Sequence, residues 1–281
     1  QEKGKDEKAI ICLGDSITFG YGVANNETFP YFLSQALNKG NLRNKFKVVN
    51  LGVVAYNTYQ ERLYLQRYGI NFTPDIIIVG ICLNDIGGQL MFPSGITDKF
   101  FEPFYSGSKS RLYRYEDMPL VCKAQILALR NSYLAQYIFL RFEKLAKQMK
   151  WFYTPMKGDY AQLSLDYYAG RMGDELKKRQ SIFEEEALLI KEIADKHKAK
   201  LLFMLFPNDI QLSRQDLRVP QEVIGNFCRK NSIYCLDLLP ELKKYKKEEI
   251  LLDIGHPSPF GNKVVSDLIT GFMEKNNLIG G

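Results

Sequence analysis

Ser16 lies in the stretch Gly14-Asp15-Ser16-Ile17-Thr18, which follows the short apolar run Ala9–Leu13. A small hydroxyl residue at the end of a buried strand is well placed to act as a nucleophile. The same residue types also cap whatever follows a strand. The setting is not the G-x-S-x-G elbow, because Gly14 stands two residues before Ser16 and Thr18 two after. Gly14, Gly20 and Gly22 match neither phosphate-loop spacing. A serine nucleophile needs a base, and histidine is the usual one near neutral pH. The chain holds two histidines. His197, in Lys196-His197-Lys198 at a helix end, reads as a solvated surface residue. His256 stands in Asp253-Ile254-Gly255-His256-Pro257. A turn there would bring the Asp253 carboxylate to one imidazole nitrogen, fixing the tautomer and stabilising the imidazolium, with the other nitrogen free to face a nucleophile. Acyl transfer further requires donors for a developing oxyanion. Gly52 offers an unhindered N–H and Asn84 a side-chain amide, although each also reads as an ordinary turn residue.

These residues share a position relative to the elements that must carry them. Ala9–Leu13, Phe46–Leu51, Asp75–Ile81, Lys200–Phe206 and Ile233–Leu238 are short apolar runs and read as strands. Helical spacing is found over Phe29–Leu37, Tyr56–Tyr68, Ile182–His197, Gln215–Lys230 and Pro259–Glu274. Strands alternating with helices imply βαβ crossovers and a parallel sheet covered on both faces, here a three-layer α/β/α fold with five strands. A flavodoxin-like order 2-1-3-4-5 suits the count. In such sheets, sites form beyond the carboxyl ends of the strands. Ser16, Gly52, Asn84 and the Asp253/His256 pair all fall at that edge.

Composition narrows the classes. The chain has 281 residues, 46% hydrophobic and 25% charged, which is the make-up of an ordinary globular protein. No unbroken apolar run reaches the roughly 18 residues of a membrane span. A net charge of +6 is too mild to argue for nucleic-acid binding. The five cysteines are an odd number without a C-x-x-C pair, and buried thiols are expected rather than a disulfide framework. Two histidines far apart do not make a multi-histidine metal site. Asp15, Asp85 and Asp253 as ligands of a hard cation, or a phosphatase or nuclease reading, have no supporting motif. The chain begins at Gln1 without a Met, as expected of a trimmed or processed chain. Residues 1–8 are mostly charged and read as a disordered tail.

Taken together, the chain resembles the SGNH, or GDSL-type, esterase and lipase superfamily. Gly14-Asp15-Ser16-Ile17-Thr18 is similar to its nucleophile block. Asn50-Leu51-Gly52 with Tyr56-Asn57-Thr58 is similar to its second block, Asn84-Asp85 to its asparagine block, and Asp253-x-x-His256-Pro257 to its terminal block. The resemblance implies Ser16 as nucleophile, His256 as base and Asp253 as its orienting partner. It implies an oxyanion hole of the Ser16 N–H, the Gly52 N–H and the Asn84 amide, and no cofactor or metal. Cys82 and Ala55 depart from the family pattern, standing where many members carry glycine. The expected activity is carboxylic ester hydrolysis on a small-molecule, acyl-lipid or O-acylated glycan substrate. O-acyl transfer to a glycan through the same acyl-enzyme, and a non-catalytic binding module, are the alternatives. A cell-envelope or secreted location is expected over a cytoplasmic one.

Residues 87–180 break the alternation. They carry 15 Lys and Arg against 9 Asp and Glu, which is the whole net charge, and 17 aromatic residues including Trp151. A helix is expected over Leu120–Lys150. The stretch reads as a mostly helical insertion after the third strand of a single hydrolase domain over 9–275. It would be a candidate lid or cap and a candidate peripheral membrane contact.

Overall fold

The apolar runs of the sequence become strands because their side chains alternate between two helical layers. The computed structural model describes residues 7–39, 45–54, 56–82, 85–86, 165–214 and 216–279. By its contacts the chain divides into one unit of residues 1–88 with 163–281 and a second of 89–162; only the first is described below. Its elements begin with β1 (Glu7–Gly14), α1 (Ser16–Phe19), α2 (Phe29–Leu37), β2 (Lys45–Gly52), α3 (Thr58–Arg67) and β3 (Ile76–Ile81). They continue with α4 (Asp174–Lys196), β4 (Lys200–Leu205), α5 (Asp209–Ser213), α6 (Val219–Lys230) and β5 (Tyr234–Asp237). The described part closes with α7 (Leu239–Leu242), α8 (Lys247–Ile250) and α9 (Pro259–Lys275).

The five strands form one parallel sheet in the order β2-β1-β3-β4-β5, the doubly wound arrangement expected from the alternation. Every residue of β3 is buried, which is why it reads as a continuous β-branched run rather than an alternating one. Odd positions of β1 and β3 (Ile11, Leu13, Ile77, Val79) pack with Leu65 of α3, Phe183 and Ile190 of α4, and Phe227 of α6. Even positions (Ile10, Cys12, Ile76, Ile78) pack with Phe29 and Leu33 of α2 and Ile269 and Met273 of α9. Burying each such side chain contributes about 1.5–3 kcal/mol, and the strand period of two sends consecutive ones to opposite layers.

Helix starts follow local chemistry. Thr28 caps α2, accepting the Tyr31 N–H. Asn57 and Gln60 form a reciprocal capping box on α3, at 3.1 and 3.2 Å. Ser258 caps α9, accepting the Gly261 N–H at 3.0 Å, with Pro259 in the first turn.

Several bounds differ from the sequence reading. β1 starts at Glu7, within the stretch read as a tail, because Glu7 and Lys8 pair with Lys45 and Phe46 at the rim of the sheet, where polar side chains stay half in water. α4 starts at Asp174, earlier than Ile182. Residues 165–180 were read with the insertion, yet Tyr167 and Leu176 are buried in the core beside Phe183. Tyr167 Oη also donates to Gln180 Oε1 at 2.7 Å. α6 starts at Val219, with Pro220 in its first turn, rather than at Gln215. Asn208 starts the separate short helix α5 ahead of it. The helix expected over Leu120–Lys150 lies outside the described residues. No described helix is long and apolar enough to cross a membrane.

Candidate active site

β1 ends at Gly14, whose φ of +151° few L side chains adopt; a Cβ there would stand 2.1 Å from Thr18 Oγ1. The chain can therefore turn sharply out of the sheet into α1. Asp15 caps that helix, its Oδ1 accepting the Ile17 N–H at 2.9 Å. Thr18 Oγ1 donates back to the Leu13 carbonyl at 3.2 Å. The turn is thus held on both sides of Ser16, the first residue of α1.

The other half of the site is built by a tight loop before α9. Leu251 bridges Pro257, and the Leu252 N–H donates to the His256 carbonyl at 2.8 Å. Within this loop Asp253 Oδ1 accepts the N–H groups of Gly255 and His256 at 3.0 and 2.9 Å. Asp253 Oδ2 lies 2.7 Å from His256 Nδ1, and His256 Nε2 lies 2.8 Å from Ser16 Oγ. A carboxylate only accepts, so Nδ1 carries the proton and Nε2 presents its lone pair to the serine hydroxyl. Burial pushes the Asp253 carboxyl up, but the His256 and Gly255 N–H groups and the imidazole outweigh it and hold the carboxyl below the usual range. The Tyr21 ring covers one side of the imidazole, centroid to centroid 5.0 Å. Ser16, Asp253 and His256 are therefore brought together as expected from their positions.

Gly52 and Asn84 stand differently. A Cβ on Gly52 would meet the Phe19 backbone nitrogen at 2.2 Å, so only glycine lets the end of β2 sit against α1. The Gly52 N–H donates to Asn50 Oδ1 at 2.9 Å. The group expected as an oxyanion donor thus already has an acceptor. Asn50 in turn donates through Nδ2 to the Thr18 carbonyl at 2.8 Å, fastening β2 to α1. Asn84 lies outside the described residues, as does Ala55. Cys82 and Asp85, which bracket Asn84 in the chain, are described.

His197 is exposed at the end of α4. Cys12, Cys228 and Cys235 are free thiols, and the Cys82 thiol donates to Asp15 Oδ2. Among the described residues no group of three or more His, Cys, Asp or Glu side chains is arranged to hold a metal ion. Sequence reasoning missed Tyr21 and Glu61, and it named Asn50 only as part of the second block. Nothing in the spacing of Tyr21 marks it, because its contact with His256 joins positions at opposite ends of the chain.

Sheet order and site together define a doubly wound α/β protein in which Ser16, His256 and Asp253 lie in hydrogen-bond contact. Residues 12–115 match the model of the GDSL-like Lipase/Acylhydrolase family. No curated protein matches the chain. Among solved structures, a member of the lipolytic protein G-D-S-L family from Veillonella parvula DSM 2008 is 12% identical, with TM-score 0.50, covering 94% of this chain and 97% of that one. The acetyl xylan esterase AlAXEase is 13% identical with TM-score 0.51, covering 94% of this chain and 98% of that one. A two-domain esterase active on acetylated mannans is 14% identical with TM-score 0.52, covering 96% of this chain. The chain spans 49% of that esterase. At these identities the likeness is one of fold.

Proposed function

We propose that the protein is a serine-dependent carboxylic ester hydrolase. The observation that carries this reading is the continuous line Asp253–His256–Ser16, with contacts of 2.7 and 2.8 Å. In the proposed reaction Ser16 Oγ attacks the ester carbonyl carbon while its proton passes to His256 Nε2. The carbonyl π pair moves to oxygen, giving a tetrahedral oxyanion. The C–O bond to the alcohol then breaks and His256 returns the proton to the leaving oxygen. Water attacks the acyl-Ser16 in the same way and releases the acid. Asp253 holds the imidazole and stabilises its charged form. The Ser16 N–H, which opens α1 and so has no intrahelical acceptor, and the Asn84 amide act as oxyanion donors. Gly52 serves by close packing while its N–H stays with Asn50.

An acetylated polysaccharide is the substrate class we favour, since two of the fold's solved relatives are esterases of acetylated mannans and acetyl xylan. Of the 87–180 stretch, residues 89–162, which exclude the core residues Tyr167 and Leu176, are proposed as a lid within the 9–275 domain. Deletion of 100–165 should alter chain-length preference in a folded variant, and an unchanged preference would retire the lid. The central test is Ser16→Ala with p-nitrophenyl acetate and acetylated xylan. Turnover should fall about 10³-fold or more, and a fluorophosphonate should label Ser16 in the parent alone. Retained turnover in the variant would remove Ser16 as nucleophile.

A further inference from the structure

Three carboxyl groups meet in the interior behind the nucleophile turn. Asp15, Glu61 and Asp85 are 2%, 1% and 0% exposed. Asp15 accepts the Ile17 N–H at 2.9 Å and the Cys82 thiol at 3.2 Å. Asp85 accepts the Cys82 N–H at 2.9 Å and the Thr58 hydroxyl at 3.0 Å. Cys82 therefore bridges the two aspartates, and the set ties together the end of β1, the end of β3 and the first residue of α3. Glu61, one turn along α3 from Thr58, is different in kind. Both its carboxyl oxygens are buried without a hydrogen-bond partner. An ionised carboxylate so placed would be an uncompensated interior charge, which burial strongly disfavours.

The groups around Glu61 do not relieve this. From β1 it faces Asp15, and from the end of β3 it faces Asp85 and the Cys82 thiol. α4, packed on α3, brings the buried residues Glu186 and Arg179. Glu186 is engaged by Arg62. Burial first, then the charges of Asp85 and Asp15, push the Glu61 carboxyl well above its ordinary range. Three buried carboxyls that act on one another are not all ionised together. Two of the three are already occupied as acceptors, and Glu61 is the one whose oxygens accept nothing.

We propose that Glu61 is a positioning residue: it keeps a proton, and as a neutral acid it preserves the Asp15–Cys82–Asp85 clamp that registers the Ser16 turn on the end of β3. At alkaline pH the Glu61 O–H bond breaks, the electron pair stays on the carboxylate and the proton goes to hydroxide. The added charge repels Asp15 and Asp85, the clamp opens, and Ser16 Oγ moves off its line to His256. Substrate contacts are not involved, so kcat changes and KM does not. The kinetic part of this inference rests on the ester-hydrolase reading; the clamp itself does not.

The test follows kcat and KM against pH for the parent, Glu61→Gln and Glu61→Ala, with blanks for spontaneous ester hydrolysis. Thermal unfolding is followed over the same range in a Ser16→Ala background. The parent should lose kcat reversibly on the alkaline side at constant KM. Glu61→Gln, neutral and of the same shape, should stay within about two-fold of the parent near neutrality and show a weakened alkaline limb, since only the part carried by Asp85 remains. Glu61→Ala should lose about ten-fold or more in kcat at every pH, because the space it empties lets the buried clamp residues shift. In the Ser16→Ala background Tm should fall with rising pH, and fall less with Glu61→Gln added. The proposal is overturned by an identical alkaline limb and identical Tm curves with and without Glu61→Gln. It is equally overturned if Glu61→Gln is as impaired as Glu61→Ala, or fails to fold where Glu61→Ala folds. Turnover by Ser16→Ala itself would remove the ester-hydrolase reading, and the Tm comparison would still judge the clamp.

Discussion

Asp253 concentrates three hydrogen bonds on one carboxylate, two from backbone N–H groups of its own loop and one from the imidazole. That arrangement fixes which nitrogen of His256 carries the proton. Asp253→Asn would present an amide to Nδ1, favour the wrong tautomer and turn the lone pair away from Ser16. The expected loss in kcat is about 10²–10⁴-fold with an intact fold, measured beside circular dichroism of the variant. Because Asp253 is held below the ordinary carboxylate range, its ionised form persists into acid. What it contributes to loop stability is present above its unfolded value and is lost as pH falls through the lower folded one. Residue types and spacing were enough to find Ser16, Asp253 and His256, since two histidines leave little choice and Asp253 is one turn from His256. Tyr21 and Glu61 were not legible, because what distinguishes each is a neighbour distant in the chain.

At the scale of elements, the ends of β1, β2 and β3 are locked to one another by backbone proximity and buried polar groups. Gly52→Ala places a methyl against the Phe19 nitrogen at 2.2 Å, a contact that only backbone movement relieves. The expected destabilisation is about 1–3 kcal/mol, read from chemical denaturation, with activity falling further than stability because α1 carries Ser16. Asp85 gives a pH prediction of its own. Burial, and then the charge of Asp15, push its carboxyl up to about 8. Below about pH 4 both the folded and unfolded chains hold the proton. Between that point and about pH 8 only the folded chain holds it. Unfolding then releases a proton, so stability declines as pH rises and levels off above. Asp85→Asn should flatten this slope in a Tm-versus-pH series; an unchanged slope would refute the assignment. Element type was readable from periodicity, while element ends were not. α4 gained its first turns, and β1 its first residues, from partners that periodicity does not register.

For the whole molecule, the two helical layers are held by alternate residues of the same strands. Ile78 is fully buried and central in the layer of α2 and α9. Ile78→Ala should cost about 2–5 kcal/mol, seen as a lowered denaturation midpoint with an unchanged m-value, and with kcat preserved where the protein remains folded. The sequence by itself determined the alternation of strands and helices and the parallel sheet, and it singled out Ser16, Asp253 and His256 as candidates. These rest on hydrophobic period, on the scarcity of histidine and on the position of each motif at a strand's end, all properties of neighbouring residues. Tertiary structure alone decided that the Gly52 N–H is taken by Asn50. It also decided that Tyr21 lies over His256, and that Asp15, Glu61 and Asp85 share one interior space. The physical reason is that hydrogen-bond partners and shared charge depend on distances across the sheet edge, which are fixed only once separate segments have packed.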